Sequence, residues 1–423
     1  MAADDPDAEG LWKNLLSEGV LQHFKEEKPS EFLHLVLKGV PESLRSEVWR
    51  TLLRARAAEI DAQVARGEKT KMSCLRNDRL CDFPPLSDVE LDPKVSRQIE
   101  LDLPRTFPEI PHFDLPKQQK MEQILRSYAY HEPQIGYCQG MNYIAGVLLL
   151  VLGNVADAYQ AFVVFMNGFG LAGFYLDDLP LMLAYSFASL RRMKDSLPQL
   201  HDHFCEVKYR FPQFPVAWFM SLFVTILPLP LVKCFWDAVV LKGGPALVVL
   251  CVMTLRALRP ILMFLGEDDV SFFFDAIKKP TSNSWLERFL LRLFKQELSA
   301  CEGQNFQAEF VEVEKVLSQI PERCTDLEGL RTEFYFPSSS VLAGFLSQPA
   351  EPSEEVTSSP SSPLAQSSIS TAATEAPRGW QLARQTLTAV SMELSWDVRD
   401  GVSDAMQRLH KILAKPERRR GYG

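Results

Sequence analysis

The 423-residue chain has no Cys-x-x-Cys pair, no glycine-rich phosphate loop and no serine-hydrolase elbow. Each absence removes a class of function. The eight cysteines, at 74, 81, 138, 205, 234, 251, 301 and 324, are scattered. That distribution suits buried thiols in a reducing compartment, not a disulfide framework. Without Gly-x-x-x-x-Gly-Lys the chain carries no phosphate cradle of its own, and without Gly-x-Ser-x-Gly it lacks the usual anchor for a Ser-His-Asp triad. The net charge is -9 and no basic stripe runs through the apolar part, which disfavours nucleic acid as a partner. The N-terminus, Met-Ala-Ala-Asp-Asp-Pro-Asp, has neither the basic nor the apolar region of a secretory signal, so a cytoplasmic protein is expected.

Two apolar stretches are long enough to invite a membrane reading. Phe214 to Val232 is broken by Pro215, Pro228 and Pro230, and Pro245 to Leu265 contains Arg256 and Arg259. An arginine at a bilayer centre costs roughly 2.5–3.5 kcal/mol on insertion scales. Both stretches read as buried core helices, and no transmembrane segment is expected.

What is present is helical periodicity. Leu44, Val48 and Leu52 recur at four-residue spacing after Gly39-Val-Pro41, and Arg45 lies beside Trp49 on the same helix. Residues 54–90 are charged and irregular, read as a helix tail and a surface loop. A short helix is expected from Asp92 to about Leu103, where Pro104 disfavours helical backbone and turns the chain extended at Arg105. Met121, Ile124, Leu125 and Tyr128 mark a helix over 117–131, ended by Glu132-Pro133, and Asn142 to Leu152 is apolar nearly all round. Further helices are expected at about 156–168, 178–195, 197–208, 216–227, 230–241, 245–258, 268–278 and 283–298. Few stretches alternate as strands do, so the fold class is all-α.

The composition divides the chain further. Residues 1–38 form an N-terminal helical extension, 39–300 the main helical domain and 301–336 its completion. Residues 337–378 are rich in Ser, Pro and Thr and read as a disordered linker. Residues 379–423 read as an amphipathic helix with a basic tail, Arg418 to Arg420. That helix suits packing on the domain or on a partner, and peripheral membrane attachment is the lesser reading, since one short basic run is rarely enough.

Two short signals lie close together in the middle. Ile99-Glu-Leu-Asp102-Leu-Pro-Arg105-Thr106-Phe-Pro108 offers an arginine between two prolines, and Gly136-Tyr137-Cys-Gln139-Gly140-Met-Asn142 offers a glutamine between two glycines. An arginine inserted into a neighbour's site can neutralise charge on a transferring phosphoryl group, worth roughly 10³–10⁵ in rate. A glutamine amide can accept from the attacking water and donate to the phosphate. Both must arrive on backbone that does not rearrange.

These motifs resemble the TBC domain family of Rab GTPase-activating proteins. Gly39-Val-Pro-Glu-Ser-Leu-Arg45-Ser-Glu-Val-Trp49 looks like the opening signature, Ile99-x-x-Asp102-x-x-Arg105-Thr-Phe-Pro108 like the arginine-finger motif, and Tyr137-Cys-Gln139-Gly-Met-Asn142 like the glutamine-finger motif. Downstream, Ala217-Trp218-Phe219, Pro228 and Trp236-Asp237 through Gly243 resemble the family's second half. The resemblance implies a two-lobed helical domain that accelerates GTP hydrolysis by a Rab-family small GTPase in vesicle trafficking. It makes Arg105 the arginine finger and Gln139 the glutamine finger, the latter replacing the GTPase's own glutamine. It assigns finger support to Asp102, Thr106 and Tyr137, and a bracing role to Arg45, Trp49, Gly140, Asn142, Trp218, Trp236 and Asp237. No cofactor of its own is implied; the partner carries GTP and Mg²⁺. The protein would be an activator without a substrate of its own, drawn to endomembrane vesicles through the Rab or its tail. One departure stands out: Cys234 occupies a position before Phe235-Trp236-Asp237 where the family often has arginine.

Blander readings stand beside these. An arginine beyond a helix end is usually solvated, and a glutamine between glycines is usually a turn residue; only the ordered motifs favour the finger roles. His201 and Cys205 share a helix face, but zinc needs about four ligands and no second cluster supplies them, so no metal is expected. The rival function is a Rab-binding scaffold or effector with the same fold and weak catalysis.

Overall fold

Prolines mark most of the helix starts, because a first-turn residue needs no N–H donor. Pro is the first residue of α1 (Pro6–Leu15), α3 (Pro29–Lys38), α5 (Pro93–Asp102), α9 (Pro180–Ser196), α10 (Pro198–Glu206) and α13 (Pro245–Leu262), and the second of α6 (Leu115–His131) and α12 (Leu229–Lys242). The remaining helices are α2 (Val20–Glu27), α4 (Glu42–Ala65), α7 (Met141–Leu152), α8 (Val155–Val163), α11 (Gln213–Met220) and α14 (Phe306–Gln319). A π-turn, Val164–Gly168, and a 3₁₀ turn, Leu171–Phe174, come after α8. The computed structural model describes residues 6–17, 20–66, 90–108, 110–111, 113–176, 180–207, 209, 213–263, 265–266, 270, 273–274, 290–294 and 306–319. Among these there is no strand, and the all-α expectation holds.

Two buried helices organise the core. α7 is apolar on nearly every face and packs against α4, α6 and α8. α13 packs against α9, α12 and α14, with Leu247, Val248, Leu255 and Leu258 buried. Each such side chain contributes about 1.5–3 kcal/mol on leaving water. α13 is long and apolar enough to cross a membrane, but most of it is buried inside the domain, as expected of a core helix. A ring of aromatics joins the layers: Trp49 stacks on Trp236 at 6.1 Å, and Phe165 meets Trp236 at 5.2 Å. The N-terminal helices belong to the same body. α3 packs on α12 and α14, α1 packs on α4, and Trp12 and Phe32 are fully buried.

α4 runs on to Ala65, which is the helix tail read after residue 54, and the surface loop read beyond it lies outside the described residues. The structure departs from the sequence reading at two places. Helix 216–227 is cut short: α11 ends at Met220, and Leu222 and Phe223 take left-handed φ of 45° and 69°. There the Leu222 carbonyl accepts from Trp236 Nε1 at 3.0 Å, a tertiary bond, and the Phe223 amide donates to the Trp218 carbonyl five residues back at 2.7 Å, closing the end of α11. Leu103 is helical (φ −56°, ψ −55°) despite Pro104, and the chain does not turn extended. Its amide donates to Ile99 at 3.1 Å, and Thr106 and Arg105 close the turn back onto Asp102.

The chain divides into two units, Met1–Tyr335 and Phe336–Gly423. The expected linker at 337–378 and amphipathic helix at 379–423 lie outside the described residues, as does most of 268–278 and 283–298.

Candidate functional site

α5 is built to deliver one carboxylate. Asp92 caps its start, accepting from the Lys94 amide at 2.7 Å, and Pro93 fills the first turn. Arg126 on α6 holds the helix by bonding Ser96 at 2.9 Å and Glu100 at 3.1 Å. The last residue, Asp102, is fully buried. Its Oδ1 receives Nε and Nη2 of Arg105, and its Oδ2 receives the Tyr137 hydroxyl at 2.5 Å. A buried carboxylate without such partners would lose several kcal/mol. Arg105 itself stays 41% exposed at the side chain.

A second set of bonds ties the same turn to α7. The Thr106 hydroxyl donates to the Asp102 carbonyl at 2.6 Å and accepts from Asn142 Nδ2 at 2.7 Å. Asn142 Oδ1 then accepts from the Gly140 amide at 3.0 Å. Phe107 comes next with a left-handed φ of 53°, its ring edge-on to Phe113 and Tyr143. A Cβ on Gly146 would lie 2.7 Å from that ring, so a glycine in α7 makes room for the arginine turn.

The glutamine loop is equally constrained. The Glu132 carbonyl accepts from the Ile135 and Gly136 amides at 3.0 and 2.8 Å, closing a turn beneath the loop. Gly140 has φ of 115°, and a Cβ there would collide with the Met220 carbonyl. That carbonyl is itself held by the Tyr175 hydroxyl at 2.7 Å. Between the anchored Tyr137 and the anchored Gly140, Gln139 stands exposed, with no hydrogen bond to its carboxamide among the described residues. Burial raises the Tyr137 hydroxyl above its ordinary pKa and the Asp102 charge raises it further, so Tyr137 remains a donor. Burial also pushes the Cys138 thiol up to about 11, so it is protonated at neutral pH and a poor nucleophile.

Arg45, Trp49 and Asp237 lie elsewhere, in a brace between α4 and α12. Arg45 Nε and Trp49 Nε1 donate to Asp237 Oδ1 at 3.1 and 2.7 Å, and the Val40 amide reaches Oδ2 at 3.4 Å. Burial pushes the Asp237 carboxyl up to about 6, against the pull of these donors. Arg45 also reaches Glu42, which pairs with Lys233. Cys234 Sγ lies 3.9 Å from Arg45 Nη2, so a thiol fills the place questioned in the sequence.

Of the residues singled out in the sequence, the structure brings Asp102, Arg105, Thr106, Tyr137, Gly140 and Asn142 into one hydrogen-bonded group, and Gln139 lies in the loop between Tyr137 and Gly140. Trp218 and Trp236 are fully buried in the core. His201 faces Asp202, and His203 meets the Leu265 carbonyl at 3.0 Å; no metal-holding cluster occurs among the described residues. Sequence reasoning missed Tyr175 and the Met220 carbonyl, which buttress Gly140 from far along the chain. The close-packed glycine was the available signal.

The chain and its all-helical fold have relatives among known proteins. Residues 42–263, more than half of the chain, match the model of the Rab-GTPase-TBC domain, and the chain belongs to that family. It is 29% identical over 217 residues to TBC1 domain family member 2A of Mus musculus, covering 51% of this chain and 22% of that protein. It is 23% identical over 266 residues to the Rab GTPase-activating protein eat-17 of Caenorhabditis elegans, covering 62% of this chain and 27% of that one. The match thus spans about a quarter of the length of these relatives. The fold is similar to the crystal structure of the Ypt/Rab-GAP domain of Gyp1p, at a TM-score of 0.50 and 18% identity, covering 69% of this chain and 96% of that one.

Proposed function

We propose that the protein is a GTPase-activating protein for a Rab-family small GTPase. Arg105 enters the partner's site to neutralise charge on the γ-phosphoryl group, and Gln139 orients the attacking water. The observation that carries this reading is the shared carboxylate. Asp102 bonds Arg105 through one oxygen and Tyr137, two residues before Gln139, through the other. The backbone segments that carry Arg105 and Gln139 are thereby tied to one another. Pre-organisation of that kind is what a group acting on a neighbour's transition state requires.

Nucleotide and Mg²⁺ belong to the partner. The protein acts in the cytoplasm and regulates vesicle traffic at the membranes where its Rab resides. The name of one of its relatives, the Rab GTPase-activating protein eat-17, supports the reading. The test is single-turnover GTP hydrolysis across a panel of Rab proteins. Native protein accelerates at least one, and Arg105→Ala removes roughly 10³-fold or more of that acceleration. Tight binding to a GTP-loaded Rab with no acceleration would instead make the protein a scaffold.

A further inference from the structure

The glutamine loop has a second anchor, at its start. Glu132 ends α6, and its side chain is buried, with 4% of the residue exposed. Its Oε1 accepts from Asn167 Nδ2 at 2.9 Å, and Asn167 Oδ1 accepts from the Tyr128 hydroxyl at 3.1 Å. Both ends of the Asn167 amide are therefore used, which fixes its orientation. The backbone of Glu132 carries the turn to Ile135 and Gly136, so the residue gripped by Asn167 is the one from which the loop hangs.

Asn167 occupies an unusual position. It lies in the π-turn Val164–Gly168, where the Phe169 amide donates to Val164 at 2.8 Å, five residues back. A π-turn inserts one residue and rotates the side chains beyond it by about a third of a turn, a feature often found at functional sites. Here it delivers an amide to the C-terminal end of α6. α4 holds the turn from the other side: Arg56 donates to the Gly168 carbonyl at 3.2 Å and lies over the Phe169 ring. Burial moves the Glu132 carboxyl above its ordinary range while the Asn167 donor pulls it back, as expected for a buried acceptor with a matched partner.

We infer that Asn167 and Glu132 form a latch that positions Gln139 for its work in the partner's site. They touch neither nucleotide nor water and act through the 133–140 loop. The latch rests on the proposed function for its consequence in catalysis, but its mechanical part stands alone. Loss of the Asn167 amide frees Glu132, loosens the turn and widens the range of positions open to Gln139. Docking is untouched, so the penalty falls on the saturated hydrolysis rate and not on half-saturation.

Two measurements on the full chain test this. The first is amide hydrogen exchange at Ile135 and Gly136, with no GTPase present. Asn167→Ala and Glu132→Ala speed exchange there by about tenfold or more while α13 stays protected. Tyr128→Phe, which keeps the ring packing, gives a smaller change in the same direction. Unchanged exchange at Ile135 and Gly136 in folded Asn167→Ala overturns the latch. The second is single-turnover hydrolysis with a responsive Rab. Asn167→Ala lowers the saturated rate about ten- to a hundredfold with half-saturation unmoved. Glu132→Gln, whose amide oxygen still accepts from Asn167, recovers most of the rate lost in Glu132→Ala. In a Gln139→Ala background Asn167→Ala has no further effect. An equal loss in that background, or a loss confined to half-saturation, overturns the positioning role. Should native protein accelerate no Rab, the proposed function fails and the exchange measurement alone decides the latch.

Discussion

The Tyr137 hydroxyl donates to Asp102 Oδ2 at 2.5 Å, joining the end of α5 to the glutamine loop across 35 residues of sequence. Neither residue is free to move without the other, because Arg105 and Thr106 close on Asp102 from the opposite side. An exposed arginine and an exposed glutamine thus share one foundation.

Tyr137→Phe removes this bond and leaves the ring in place. The buried carboxylate loses one of its donors, and stability falls by about 1–3 kcal/mol in denaturant titration. Single-turnover hydrolysis with a responsive Rab slows at saturation, because both fingers lose their common reference. A variant as stable and as active as native protein would remove Tyr137 from the positioning role.

Gly140→Ala strikes the other end of the glutamine loop. A side chain there takes a φ of 115° and collides with the Met220 carbonyl, so α7 or the 220–223 turn must shift. Backbone strain of this kind costs about 1–3 kcal/mol before the collision is counted. Gly10→Ala in α1 is the control, since its Cβ meets nothing within 4 Å. It stabilises by about 0.5–1 kcal/mol through helix propensity, and thermal melts of the two variants should move in opposite directions.

The Arg45–Asp237 brace gives a pH dependence with a definite sign. The Asp237 carboxyl titrates near 6 in the folded protein and near 3.8 unfolded, so the folded state binds the proton more tightly. Its contribution to stability is full below the lower value and is lost as pH rises through the upper one. Asp237→Asn flattens the stability profile between those limits. Arg45→Ala leaves the buried carboxylate without its cation and destabilises by about 3–5 kcal/mol at neutral pH. That loss shrinks as the solution is acidified toward pH 4 and Asp237 takes up a proton. A loss that grows on acidification would contradict the assignment.

The range of each interaction decided whether the sequence revealed it. The helices α6 and α7 were legible because their apolar residues repeat locally. The all-α class came from such repeats and from the scarcity of strand-like alternation. Arg105 and Gln139 stood out because two short motifs carry them. The conformation of Leu103 was misjudged because bonds to Ile99 and around Asp102 outweigh the local effect of Pro104. Leu222 turns left-handed where its carbonyl meets Trp236, 14 residues later, which no local pattern announces. Asn167 was invisible for a like reason. Its meaning comes from a π-turn and from Glu132, 35 residues earlier.

The central claim is that this chain, and not its partner, supplies the amide that places the water. It is tested most directly by single-turnover hydrolysis on a responsive Rab whose own catalytic glutamine has been replaced by alanine. Native protein continues to accelerate that Rab, while Gln139→Ala loses about 10²-fold or more on it and Arg105→Ala loses at least as much. An altered Rab that no longer responds to native protein, or that responds equally to Gln139→Ala, would contradict the account.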